Sequence, residues 1–104
     1  MVYFVGAGPG AADLITVRGK ALLERADLII YAGSLVNPEL LHYARKKCRV
    51  MNSASMTLEE VIGAMKEAAA RDEIVVRLHT GDPSLYGAIR EQMDELDKLG
   101  IIYE

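Results

Sequence analysis

Val2-Tyr3-Phe4-Val5-Gly6-Ala7-Gly8-Pro9-Gly10-Ala11 joins a short apolar run to a turn rich in glycine and proline. Val2 to Val5 is long enough for a buried strand, and the residues after the turn suit a helix. Thr16 can cap it, with Val17, Ala21 and Leu22 on one apolar face. The alternation then repeats. Leu28-Ile29-Ile30-Tyr31 reads as a second strand, ended by Ala32-Gly33-Ser34. Asn37-Pro38-Glu39 starts a short helix that ends near the basic cluster Arg45-Lys46-Lys47. Cys48 to Met51 is a weak third strand. Thr57-Leu58-Glu59-Glu60 forms a capping box, after which Leu58, Val61, Ile62, Met65, Ala68 and Ala69 share one stripe. Ile74 to Leu78 is a fourth strand, interrupted only by Arg77. Leu85, Ile89, Met93 and Leu96 mark a helix stopped at Gly100, and Ile101-Ile102-Tyr103 reads as a fifth strand. Strands alternating with helices require βαβ units. The expected fold is therefore α/β, a mainly parallel five-stranded sheet with helices on both faces.

Composition agrees with that class. The 104 residues are one domain's worth, 51% hydrophobic and 26% charged, with only three prolines. A net charge of −3 argues against nucleic acid or an anionic membrane as partner. Cys48 is the single cysteine and has no internal disulfide partner, which suits a reducing cytoplasm. No apolar run approaches the ~18 residues of a membrane span, and the N-terminus lacks the pattern of a signal peptide. The expected location is cytoplasmic. No Cys/His spacing suits a metal ion, and the methionines read as core or interface.

Two loops carry the chemistry. In an open parallel sheet, ligands bind beyond the carboxyl ends of the strands. Gly6-Ala7-Gly8-Pro9-Gly10-Ala11 follows strand one, and Thr80-Gly81-Asp82-Pro83-Ser84 follows strand four. Each pairs glycines, for close backbone approach, with a turn-fixing proline. The first loop matches the dinucleotide fingerprint in its G-x-G-x-x-A form. Against a nucleotide cofactor, Pro9 removes a backbone donor, and strand two ends in Tyr31-Ala32-Gly33-Ser34 without the ribose-binding acid. No lysine-serine or lysine-threonine pair follows the glycines, so a Walker loop is excluded. Asp82 is placed to accept hydrogen bonds from a ribose diol or an amino group, and equally to start a helix around Pro83. On these residues a dinucleotide-binding domain of an oxidoreductase and a non-catalytic assembly module stay open, and the first loop reads also as a tight strand-to-helix turn with no ligand.

Together, Val5-Gly6-Ala7-Gly8-Pro9-Gly10 and Arg77-Leu78-His79-Thr80-Gly81-Asp82-Pro83-Ser84 resemble the two N-terminal motifs of the tetrapyrrole methylases. These are S-adenosylmethionine-dependent enzymes of cobalamin and sirohaem synthesis. Segments Tyr31–Pro38, Asn52–Glu60 and Leu85–Met93 narrow the resemblance to methylases acting on carbon 11 of a corrin precursor, with or without cobalt. The resemblance implies that residues 1–104 are the N-terminal domain of a two-domain methyltransferase, with the second domain absent from this chain. A strand cut off at Tyr103-Glu104 fits that expectation, and the fragment alone would be inactive. It further implies S-adenosyl-L-methionine as cofactor, leaving as S-adenosyl-L-homocysteine, and a homodimer for the full-length enzyme. Carried over residue by residue, the cofactor contacts are Pro9, Thr80, Gly81, Asp82 and Leu85. Departures exist. Ala11 stands where many relatives carry an acid, and Ala32-Gly33-Ser34 lacks the aspartate proposed as a base in the sirohaem branch, so the catalytic base is unassigned. Arg18 is a candidate for steering substrate carboxylates, and equally a solvated helix residue. His79 is a candidate substrate contact or a packed shoulder residue, and His42 has no role.

Overall fold

Every strand of the sheet is parallel, and the chain reaches its neighbours by helical crossovers. A computed structural model describes residues 1–6, 15–31, 38–79 and 86–104, with the backbone alone at 38 and 86–88. The elements run β1 (Val2–Gly6), α1 (Val17–Arg25), β2 (Leu28–Tyr31), β3 (Arg49–Asn52), α2 (Leu58–Ala70), β4 (Val75–His79) and α3 (Tyr86–Leu99). Short 3-10 helices occupy Pro38–Tyr43 and Ser53–Ser55. The strand order is β1-β4-β2-β3. Register pairs Gly6 with His79, Tyr31 with Leu78, and Tyr31 with Asn52.

Side chains alternate across this sheet with the period of two that extended backbone imposes. One face buries Val2, Leu28, Ile30 and Val75 against Val61, Ile62, Met65 and Ala68 of α2 and Leu96 of α3. The other buries Val5, Ile29, Val76 and Leu78 against Leu23 of α1, Ala26 and Leu40. Both faces are covered, as an all-parallel sheet requires. The split follows from connectivity: β1 to β2 and β3 to β4 run in opposite directions across the sheet. Right-handed crossovers then place α1 and α2 on opposite faces.

The ends of the helices show why these segments stop where they do. Thr57 accepts from the Glu60 backbone N–H at 3.1 Å, and the Glu60 carboxylate accepts from the Thr57 N–H at 3.1 Å, completing the expected capping box. Thr16 caps α1 by accepting from the Gly19 N–H at 3.0 Å. At the end of α3, Gly100 takes φ +69, the Gly100 N–H donates to Asp97 and the Ile101 N–H to Leu96. This is the left-handed cap that glycine favours. Asp72, at φ 59, closes α2 with the same hydrogen-bond pattern.

Three expectations are corrected. The described sheet has four strands rather than five. Ile102–Glu104 lies parallel to the outer edge of β1, but only Val2 and Tyr103 form a bridge, held by three backbone hydrogen bonds of 2.9–3.2 Å. A segment this short lacks the repeated pairing of a strand. On α1 the expected face is turned: Val17 is 88% exposed, and Gly19 and Leu23 are buried instead. Gly19 leads because a Cβ there would stand 3.0 Å from both Val5 and the capping hydroxyl of Thr16, so only glycine lets α1 lie this close to β1. The helix expected after Asn37 is a 3-10 helix, six residues from Pro38 to Tyr43, and Asn37 lies outside the described residues.

Candidate functional site

The connections leaving β1 and β4 part in opposite directions. From β1 the chain crosses over β4 by α1 to reach β2, on one face. From β4 it returns by α3, on the other face, to the far edge of β1. Such a reversal between adjacent strands opens a crevice at their carboxyl ends, where open α/β sheets bind ligands. Gly6 and His79 are the last residues of these two strands and lie side by side in register. Segments 7–14 and 80–85 therefore depart from neighbouring points on one edge. Segment 32–37 leaves from Tyr31, one strand further along.

These shoulders are the described part of the site. Pro9, Thr80, Gly81, Asp82 and Leu85 lie outside the described residues, as do Ala11 and Ala32-Gly33-Ser34. Gly6 and His79 share the face covered by α2 and α3. A Cβ on Gly6 would reach 3.9 Å from His79 Cε1, so the glycine leaves the backbone bare beside a half-buried imidazole. Tyr31 is half-buried, and its carbonyl accepts from Ser53 Oγ at 3.0 Å, tying the end of β2 to the turn after β3.

Beneath this edge lie the two buried polar side chains found among the described residues, Arg77 and Gln92, 6% and 5% exposed. Arg77 Nε donates to Gln92 Oε1 at 3.1 Å, and one terminal nitrogen donates to the carbonyls of Ile30 and Leu78, both at 3.3 Å. No carboxylate lies within ion-pair distance of it among the described residues. Burial pushes the guanidinium below its ordinary value, since water no longer stabilises the charge. Arg77 stood out in the sequence as the one charge in an apolar run. Gln92 gave a fainter signal, its spacing from Ile89 and Leu96 placing a polar residue on the apolar stripe of α3.

The other candidates are placed more simply. Arg18 is exposed on the first turn of α1 and forms an ion pair with Glu104. Both line a cavity of about 290 Å³ along the outer edge of β1, with Tyr3, Gly6 and Thr16. His42 lies on the 3-10 helix after Pro38. Cys48 is half-buried against the α1 layer, and burial pushes its thiol up, which fits packing rather than reactivity. Among the described residues no helix is long and apolar enough to cross a membrane. No group of three or more His, Cys, Asp and Glu there could hold a metal ion.

Known proteins carry the same arrangement. Over 103 residues the chain is 59% identical to the cobalt-precorrin-4 C(11)-methyltransferase of Methanocaldococcus jannaschii, covering 99% of this chain and 40% of that protein. It is 50% identical over 103 residues to the precorrin-4 C(11)-methyltransferase of Mycobacterium tuberculosis, covering 41% of it. Among solved structures, a cobalt precorrin-4 methyltransferase of cobalamin biosynthesis superposes with a TM-score of 0.92 at 47% identity, over 99% of this chain and 43% of that one. A Thermus thermophilus uroporphyrin-III C-methyltransferase complexed with S-adenyl homocysteine does so at 0.77, with 31% identity, over 99% of this chain and 42% of that one. The chain thus spans about two fifths of the length of the relatives it matches. The family model for the tetrapyrrole (corrin/porphyrin) methylases matches residues 1–104. The chain belongs to the tetrapyrrole methylases.

Proposed function

We propose that residues 1–104 are the N-terminal domain of a two-domain, S-adenosyl-L-methionine-dependent C-methyltransferase of cobalamin synthesis. Its substrate is precorrin-4 or cobalt-precorrin-4, methylated at carbon 11. The observation that carries this reading is 59% identity across 99% of the chain to a cobalt-precorrin-4 C(11)-methyltransferase. The topology supports it, because the two glycine loops of the family motifs leave from the pair of strands at which the connections reverse. The second domain supplies the other wall of the cleft, and the full-length enzyme is a homodimer.

The described shoulders fit the cofactor as far as they reach. Gly6 leaves backbone accessible beside His79, and the crevice lies between β1 and β4. When bound, the cofactor supplies an electrophilic methyl group on a sulfonium, leaving as S-adenosyl-L-homocysteine. The residues of this chain supply placement. Asp82 accepts hydrogen bonds from the cofactor's ribose diol or amino group. Gly81 lets the cofactor lie against backbone, with Pro9, Thr80 and Leu85 as the remaining contacts. Holding donor and acceptor carbons in line at ~3–3.5 Å provides much of the acceleration. Titration calorimetry of the two-domain protein with S-adenosyl-L-methionine, S-adenosyl-L-homocysteine and NAD tests this reading. Binding of the first two and not of NAD is the expected result; binding of NAD alone would overturn it in favour of an oxidoreductase.

A further inference from the structure

Arg77 and Gln92 sit on the two stems of one loop. Arg77 is on β4, three residues before Thr80, and Gln92 is on α3, seven residues after Leu85. The segment between β4 and α3 carries Thr80, Gly81, Asp82 and Leu85. The geometry points to Arg77 and Gln92 as positioning residues that set the cofactor loop by clamping its stems together under the carboxyl edge. This rests on the assignment of the cofactor to that loop.

Three observations carry the inference. First, the hydrogen bond from Arg77 Nε to Gln92 Oε1, at 3.1 Å, joins sheet to helix beside the apolar core of that face, both side chains being buried. A buried polar pair is costly there unless both members are satisfied, so it fixes one arrangement of α3 on β4 where apolar packing alone would tolerate several. Second, the same guanidinium holds the Ile30 and Leu78 carbonyls at the ends of β2 and β4. One side chain thus gathers the stems of segments 32–37 and 80–85. Third, no carboxylate lies within ion-pair distance of the arginine among the described residues, and its Nε and one terminal nitrogen donate to neutral acceptors in fixed directions. An arginine fork suits that task, since five N–H groups lie in one rigid plane.

A clamp of this kind acts on the pre-organisation of the loop and touches no reacting atom. Its removal should therefore weaken cofactor binding by the folded protein. The test compares Gln92→Leu, Gln92→Glu and Asp82→Ala in the two-domain protein. Calorimetry with S-adenosyl-L-homocysteine is done at a temperature where circular dichroism shows every variant folded. Gln92→Leu removes the acceptor on α3 and leaves the arginine on its two carbonyls. It should weaken binding on the order of tenfold, the lower end of what removing a residue behind a binding group costs. Gln92→Glu keeps an acceptor and should bind within about twofold of the parent. Asp82→Ala should lose binding by more than either. Unchanged affinity in Gln92→Leu, with binding lost in Asp82→Ala, would overturn the clamp and leave the loop assignment standing. Unchanged affinity in Asp82→Ala would overturn both. If Gln92→Leu does not fold, Gln92→Glu decides alone, with a loss near tenfold contradicting the proposal.

Discussion

Asp27 shows how one side chain can hold an edge of this fold. Its carboxylate accepts from the Ile74 backbone N–H at 2.7 Å and pairs with Arg45, next to the Arg49–Glu73 pair at 2.5 Å. The Ile74 hydrogen bond, followed by the Arg45 contact, holds its pKa below 3.8. A carboxyl depressed in the folded state contributes stability that is present above 3.8 and is lost as pH falls through the folded value. Asp27→Asn should therefore flatten the loss of stability between neutral pH and acid, measured by urea denaturation across that range. An equally steep acid loss in the variant would show that the carboxylate does not carry the effect. Little of this was legible beforehand, because Asp27 reads as a residue leading into a strand and its partners lie 18 and 47 positions away. Arg77 was visible as an interruption of an apolar run. Two of its acceptors were not, since Gln92 is brought to it by helix placement and the Ile30 carbonyl by register, which no local pattern encodes.

At the level of elements, the sequence pattern located β2 to the residue and the capping box of α2 with both its hydrogen bonds. Both signals are local and strong. The facing of α1 was not legible, because Val17 and Ala21 are apolar and Gly19 is not obviously a contact residue. What decides the matter is proximity: the helix is drawn onto β1 through the position with no side chain. Gly19→Ala tests that account. Alanine favours helix by about 1 kcal/mol, but its Cβ would stand 3.0 Å from Val5 Cγ1 and Thr16 Oγ1 and 3.1 Å from Ile15 Cγ1. Overpacking costs about 1–3 kcal/mol, and displacing the capping hydroxyl costs about 1 more. The variant should lose about 1–3 kcal/mol in urea denaturation. A gain in stability would mean that α1 can move away from β1 freely. The fifth strand was read from the three apolar residues Ile101 to Tyr103, and this segment makes a single bridge to β1.

For the whole molecule, alternation of strand and helix was enough to give a parallel sheet covered on both faces. It was not enough to give the strand order. That order, β1-β4-β2-β3, is what sets the ends of β1 and β4 side by side, although the motifs that follow them stand some seventy positions apart. Two glycine loops stood out as a candidate site because the motifs are compact, and both lie outside the described residues. The supporting pair beneath it was dispersed over two elements, and one member is an unremarkable glutamine. The activity proposed for the two-domain protein is methyl transfer to carbon 11 of a corrin precursor. The most direct test is to incubate that protein with precorrin-4, and separately with its cobalt complex, together with S-adenosyl-L-methionine bearing an isotope-labelled methyl group. Nuclear magnetic resonance of the product should show the label on carbon 11 of one of the two substrates. Label at another ring carbon, or no transfer to either by a protein shown to bind the cofactor, would contradict the account.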